Sequence, residues 1–341
     1  MKKICIIKLG ALGDVIRTLP ILIGIKEKYP DSEISWITKK DSFEMVKNSP
    51  HVKKMLILPF EPRESFDILY NFDIDDEATF LAGKINSKKK YGFYSDGGFV
   101  SAFNIGAEYY LNTIFDDEIK KTNAKTYQEM IFMAAELPYK RQYHAIILSE
   151  ETKKYAGNFF EENKINSGKL IGMHLGASAR WPSKVWHKEN LKDFIKKAKS
   201  AGYEIILFGG PNETEELEKI KKQFSESGIM LHANNPYNTA MQFASLVEKC
   251  NFMICSDSFS LHISLALGKQ TIGLFFCTSS KEVEGYDLLK KIESPMLYNF
   301  FPERMNEYDE NLVKSISSEE VFNKIVEFGI KTNKNNLPMD I

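Results

Sequence analysis

The sequence predicts an α/β protein made of two doubly wound parallel-sheet domains. Three observations carry this. Short apolar, β-rich runs alternate with segments of helical spacing. The alternation restarts in the second half, where Leu170-Ile171-Gly172-Met173-His174-Leu175-Gly176-Ala177 mirrors Ile6-Ile7-Lys8-Leu9-Gly10-Ala11. The chain is 341 residues long, and roughly 150 residues per domain gives two domains.

The elements follow in order. Lys2–Leu9 is an apolar run ending at Gly10, which reads as a buried parallel strand. Gly10-Ala11-Leu12-Gly13-Asp14 is the strand-to-helix turn. Val15, Ile16, Leu19, Leu22 and Ile25 then recur at helical spacing up to Tyr29-Pro30, with Pro20 kinking the helix or starting a fresh turn. Ile34–Ile37, Met55–Leu58 and Ile68–Tyr70 read as strands. Residues 112–127 are polar, Gln128–Leu137 is a helix, 143–148 a strand and Glu150–Glu162 a helix. This places the first domain at 1–155, the second at 156–330 and a frayed tail at 331–341.

The second domain continues with helix Lys188–Ala201, strand Glu204–Phe208, the Gly209-Gly210-Pro211 turn and helix Glu213–Ser225. Strand Met230–Leu231, helix Thr239–Glu248, strand Phe252–Cys255, helix Leu261–Leu267 and strand Gln270–Phe275 come next. Ser317–Gly329 is a last amphipathic helix, capped by Ser317 or Ser318. Two such halves make a cleft between them, and ligands of doubly wound sheets sit at the carboxyl ends of the strands.

Composition narrows the function. The apolar fraction is 43% and the charged fraction 27%, as in ordinary soluble domains. Forty-five basic residues face 46 acidic ones, so no strongly basic surface exists and nucleic acid is not an expected partner. No apolar run approaches the ~20 residues of a membrane span. The chain opens directly on a strand, so no secretory leader is expected. Cys5, Cys250, Cys255 and Cys277 show no CxxC or Cys/His zinc spacing and read as buried free thiols in a reducing cytoplasm.

Four segments are candidates for chemistry. The Gly10–Asp14 turn is neither a GxGxxG fingerprint nor a Walker loop. Asp14 is either a helix N-cap or a general base for a bound hydroxyl. Gly176–Trp186 brings hydroxyls, Arg180 and Lys184 between a strand and a helix, which suits a diphosphate or is a solvated loop. Ser256-Asp257-Ser258-Phe259-Ser260-Leu261-His262 is either a phosphate-holding helix start or a plain cap, with Asp257 or Ser258 as the N-cap. Glu213, after Gly209-Gly210-Pro211-Asn212, either accepts ribose hydroxyls or stabilises a first helical turn. Asp73-Ile74-Asp75 has the spacing of a metal-binding acidic pair and reads as a solvated loop of the first domain.

Taken in register, these segments resemble glycosyltransferase family 9, the ADP-heptose:lipopolysaccharide heptosyltransferases. The resemblance rests on Lys8-Leu9-Gly10-Ala11-Leu12-Gly13-Asp14-Val15-Ile16-Arg17-Thr18-Leu19-Pro20 with Tyr29-Pro30 and Trp36, on Pro182–Asn190, on Gly209-Gly210-Pro211, and on Ser256-Asp257-Ser258…His262…Ala266-Leu267-Gly268. It covers about residues 1–280. It implies a GT-B fold, with the acceptor on the first Rossmann-like domain and a nucleotide-sugar donor on the second. It also implies inverting transfer of heptose from ADP-heptose to a lipopolysaccharide core or related glycan, without metal or cofactor.

By motif position Asp14 is the base. Lys184, Arg180, Ser258, Phe259 and Ser260 meet the diphosphate, Glu213, Asp257 and His262 the rest of the donor, and Gly13 and Lys90 lie on the acceptor side. The implied partners are a nucleotide-sugar donor and a glycolipid or oligosaccharide acceptor. The implied place is the cytoplasm, with peripheral contact to the inner membrane. The sequence departs from the family at Phe259, where glycine is usual, and at Phe276-Cys277-Thr278, where Gly-Pro-Thr is usual. Two other readings stay open: a sugar-nucleotide binder without catalysis, and a GT-B epimerase acting on a UDP-sugar.

Overall fold

The computed structural model describes residues 1–59, 61–166 and 168–332. It divides the chain into two compact units. The first is Met1–Ser149 with Lys281–Tyr286, and the second is Glu150–Ser280 with the chain from Asp287 onward. The units part at 149/150, where the sequence placed the boundary at 155/156. Helix Glu150–Glu162 therefore falls wholly in the second unit. The expected tail at 331–341 begins inside a helix that runs to Thr332, and the rest of it lies outside the described residues.

The first unit runs β1 (Lys3–Ile7), α1 (Leu12–Thr18), α2 (Ile21–Lys28), β2 (Glu33–Thr38), α3 (Phe43–Val46), β3 (Lys54–Ile57), β4 (Phe66–Asn71), α4 (Asp76–Lys84), β5 (Ser87–Asp96), β6 (Phe99–Ala102), α5 (Ile105–Phe115), α6 (Asp117–Thr122) and α7 (Tyr127–Ala134). Its strands lie in the order 3-2-1-4-5-6, all pairs parallel except the antiparallel β5–β6 hairpin. β1 is central and reads as an unbroken apolar run because both its faces are covered. Pro20 does interrupt the first helix: α1 ends at Thr18 and α2 starts afresh at Ile21.

The second unit runs α8 (Glu150–Glu162), β7 (Leu170–His174), α9 (Lys188–Ser200), β8 (Glu204–Phe208), α10 (Thr214–Glu226), β9 (His232–Ala233), α11 (Ala240–Glu248), β10 (Phe252–Ser256), α12 (Phe259–Ala266), β11 (Gln270–Phe275), β12 (Leu289–Glu293), α13 (Glu310–Lys314) and α14 (Ser318–Thr332). The strand order 12-11-10-7-8-9 is the same winding again, here all parallel. Each sheet reverses direction beside its first strand, between β1 and β4 and between β7 and β10. That reversal opens a crevice at the carboxyl ends of the strands.

Two expectations fail. Residues 143–148 are not a strand. Gln142, His144, Ile146 and Leu148 are buried and alternate with outward residues, but the segment joins neither of the two sheets. The strand expected at Met230–Leu231 is a two-residue strand two positions later, at His232–Ala233.

Residues 281–286 belong to the first unit through the carboxylate of Glu284. It accepts from Tyr139 Oη at 2.7 Å, Arg141 Nη2 at 3.2 Å and Tyr286 N at 3.0 Å. All four cysteines are buried and free, and burial raises their pKa values, Cys277 to about 11. Among the described residues no helix is long and apolar enough to cross a membrane.

Candidate functional site

In the first unit the charged side chains gather where β1 and β4 diverge. Ile7 pairs with Asn71, and beyond that pair Lys8, Leu9 and Gly10 turn away from Phe72 and Asp73. Asp73 Oδ2 accepts from Leu9 N at 2.9 Å and Gly10 N at 2.6 Å, and lies 3.4 Å from Lys8 Nζ. Lys8 Nζ also donates to Phe72 O at 3.0 Å. Burial works against the Lys8 charge, yet Tyr127, Asp73 and Asp14 outweigh it and hold its pKa above the ordinary lysine value.

Asp14 is the third residue of α1, not its cap. Ala11 holds the N-cap position, without a side-chain bond, and Asp14 N donates to Ala11 O at 2.8 Å. The Asp14 side chain is 37% exposed, and Arg17 reaches its Oδ1 through Nη2 at 2.8 Å and Nε at 2.9 Å. The Arg17 guanidinium lies 3.8 Å from the centre of the Tyr127 ring, whose hydroxyl meets Thr18 Oγ1 at 2.8 Å. The carboxylate is thus held on one side by a cation that is itself stacked in place.

The second unit repeats this at its own divergence. Lys184, on the 3-10 turn Pro182–Lys184, is 7% exposed. Its Nζ donates to the main-chain oxygen of Asp257 at 2.8 Å and to Oδ2 at 2.9 Å, just beyond the end of β10. Trp181 covers the ammonium, its ring centre 4.4 Å away. His262 Nε2 lies 3.9 Å from Asp257 Oδ1. Glu213 folds back to accept from Gly210 N at 2.8 Å. Beside it opens a cavity of about 250 Å³ lined by His174, Trp186, Asn212, Glu213 and Ser256 among others. His174 is held neutral by burial, its pKa lowered to about 4, and its Nδ1 bonds to Gly176 O at 3.0 Å.

The model of glycosyltransferase family 9 (heptosyltransferase) matches residues 63–300, more than half of the chain. The chain belongs to glycosyltransferase family 9. Among curated relatives of this family 9 protein, lipopolysaccharide core heptosyltransferase OpsX of Haemophilus influenzae is 22% identical over 312 residues, covering 86% of the chain and 84% of that protein. Lipopolysaccharide heptosyltransferase 1 of Campylobacter coli is 25% identical over 297 residues, covering 82% and 85%. The crystal structure of a family 9 glycosyl transferase from Veillonella parvula superposes with a TM-score of 0.77 at 18% identity, covering 97% of both chains. The fold is GT-B.

Within this family 9 chain the expected residues separate into two groups. Asp14 and Gly13 stand at the first divergence, and Lys184, Asp257, His262 and Glu213 at the second. The others are placed differently. Arg180 is exposed, its guanidinium carbon 5.1 Å from the Trp181 ring centre. Ser258 holds the N-cap position of α12 without a side-chain cap bond, and its hydroxyl meets that of the buried Ser260 at 2.8 Å. Phe259 turns its ring onto Phe243, 5.6 Å between centres, and α12 starts at Phe259 as an ordinary helix. Lys90 closes the end of α4, donating to Ala82 O at 2.8 Å and Gly83 O at 3.1 Å.

The reading of Asp73 as a solvated loop residue is wrong: its side chain is 5% exposed and anchors the Gly10 turn. The signal for it was Asp73 following an apolar strand at the carboxyl edge of the sheet. Lys8, Arg17 and Tyr127 join the same cluster. Among the described residues no group of three or more His, Cys, Asp or Glu side chains is arranged for a metal ion.

Proposed function

We propose that this glycosyltransferase is an inverting heptosyltransferase that moves heptose from ADP-heptose to a lipopolysaccharide core acceptor. The observation that carries it is the family match over residues 63–300, in a chain whose curated relatives are named lipopolysaccharide heptosyltransferases. In this reading Asp14 takes the proton of the acceptor hydroxyl. The hydroxyl oxygen attacks the anomeric carbon from the face opposite the diphosphate, the bond to the β-phosphate oxygen breaks, and ADP leaves with the electron pair. Lys184 and the amides at the start of α12 stabilise the charge that develops on ADP. Glu213 and His262 complete the donor site. These protein groups take the part a metal ion plays elsewhere, so turnover after exhaustive EDTA treatment is expected to stay near its starting rate. Loss of activity restored by magnesium or manganese would overturn that.

The test is transfer from ADP-heptose to a lipid A–Kdo acceptor, followed with and without the acceptor. Asp14→Asn is expected to lower the rate by roughly 10²–10⁴-fold while ADP affinity stays within a few-fold. Near wild-type turnover in that variant removes Asp14 from the chemistry. ADP-heptose binding with no turnover of the wild-type protein would mark a binder, and donor turnover without acceptor an epimerase.

A further inference from the structure

The buried pair Lys8–Asp73 lies under the turn that carries Asp14. Both side chains are 5% exposed. Taking two charges out of water costs about as much as their attraction returns, and an apolar pair of the same volume is often as stable. Stability alone does not account for an ion pair here. The hydrogen bonds show what else it does. One oxygen, Asp73 Oδ2, receives two successive backbone amides, Leu9 N and Gly10 N. Asp73 is itself fixed by Asn71, whose Oδ1 accepts from Asp73 N at 3.1 Å and whose Nδ2 donates to Asp73 O at 3.0 Å and Phe93 O at 2.8 Å. Gly10 is pressed so close that a Cβ on it would lie 3.1 Å from Asp73 Oδ2 and 3.3 Å from Lys8 Nζ. One residue later Ala11 caps α1, and three residues after that comes Asp14.

We propose that Lys8–Asp73 is a positioning pair for Asp14: Asp73 pins the turn that sets the carboxylate's place, and Lys8 cancels the charge that the pin would otherwise add beside the base. This rests on the reading of Asp14 as the base. The pair touches no reacting atom in this account and acts through Asp14. The charged and titratable groups around Asp14 come from several elements: Arg17 on α1 itself, Lys8 after β1, Asp73 and Asp75 after β4, Tyr110 on α5 and Tyr127 on α7, with Lys39 facing Asp75. Arg17 is common to every variant below, so differences between them report on the pair.

The experiment follows the Asp14 carboxyl by NMR in the full chain labelled with carbon-13 aspartate. Asp14→Asn identifies the resonance by its loss. Asp73→Asn keeps an oxygen for the two amides but leaves the Lys8 charge unbalanced, and is expected to lower the titration midpoint of Asp14 by about one unit. Lys8→Met leaves the Asp73 charge unbalanced, and is expected to raise it by about one unit. The combined Lys8→Met, Asp73→Asn variant removes both charges at nearly constant volume. It is expected to fold and to bring the midpoint back to within a few tenths of wild type, whether or not the single variants fold. In transfer from ADP-heptose each single variant is expected to lose about 10–100-fold in kcat with KM for ADP-heptose within about twofold, the mark of a base disturbed by an unbalanced charge beside it while the donor site is unchanged.

A midpoint unmoved in the single variants, moved in the same direction by both, or left far from wild type in the combined variant would overturn the proposal. Near wild-type turnover in Asp14→Asn would overturn the base assignment and this inference with it. An inactive Asp14→Asn beside an unmoved midpoint would overturn the inference alone.

Discussion

Two of the three N–H groups of Lys184 are directed at Asp257, one at the main-chain oxygen and one at the carboxylate. In the proposed donor-binding role, a diphosphate there would gain a third, charge-assisted contact without reorganising the lysine. Lys184→Ala is therefore expected to weaken ADP by about 10–150-fold and to leave adenosine nearly unchanged. Arg180→Ala, which removes an exposed cation, is expected to change ADP affinity by no more than a few-fold. Calorimetric titration of ADP and adenosine into both variants checks this, and the reverse ranking would exchange the two roles. At this scale the sequence could point to where Asp14, Lys184, Asp257 and Glu213 lie, because each falls at or near a junction between a strand and a helix. Asp73 was misread because burial of a carboxylate depends on which strand lies beside its own. Only the order 3-2-1-4-5-6 brings the end of β4 against the end of β1. The serines were harder to place for a related reason: that Ser260 is buried with its hydroxyl on Ser258 follows from the packing of α12, which no local pattern shows.

Among the elements, two glycines show opposite responses to one added methyl group. Gly92, in β5, has φ +87°, and a Cβ on it would lie 1.9 Å from Asn71 O in the neighbouring β4. Gly92→Ala is expected to cost at least about 3 kcal/mol, from the left-handed backbone and the overlap together. Gly157 stands in the middle of α8, exposed, with nothing within 4 Å of a Cβ. Gly157→Ala is expected to add about 0.5–1 kcal/mol by removing backbone freedom from the unfolded chain. Urea unfolding of both variants against wild type reads the two signs. Strongly periodic helices such as α8, α9 and α11 were legible almost to the residue. β5 was missed because Lys88, Lys89 and Lys90 make its first half polar. Residues 143–148 show the opposite failure, since alternation reports which side chains face inward and cannot report whether a neighbouring strand exists.

For the molecule as a whole, acid is expected to act through two histidines, the buried His144 in the first unit and the partly buried His174 in the second. Burial lowers the pKa of His144 to about 4, with the nearby His51 contributing, and that of His174 also to about 4. Both lie below the ordinary value of 6.5, so the folded chain holds the neutral rings while the unfolded chain takes up protons first. The stability they confer is complete above pH 6.5 and drains away as the pH falls toward 4, by up to about 3 kcal/mol for each ring. Denaturant titrations at pH 7.5, 6 and 5 are expected to show a falling midpoint, and His144→Gln a shallower fall. An unchanged slope in that variant would remove His144 from the account. The doubly wound class and the restart of the pattern were readable from periodicity alone. The exchange of residues 281–286 into the first unit was not, because no local feature of that stretch marks it as leaving its neighbours.

That exchange has a consequence for the chain as it is made. Tyr139 and Arg141 wait for Glu284, and Glu284 is translated long after them. A ribosome adding about 5–20 residues per second needs about 7–27 seconds to pass from Ser149, the end of the first long segment, to Tyr286. During that interval the amino-terminal sheet is exposed to the cell with one of its fastenings still unsynthesised. Biogenesis of this protein is therefore not simply front to back: its first unit is closed by a piece that emerges in the middle of its second.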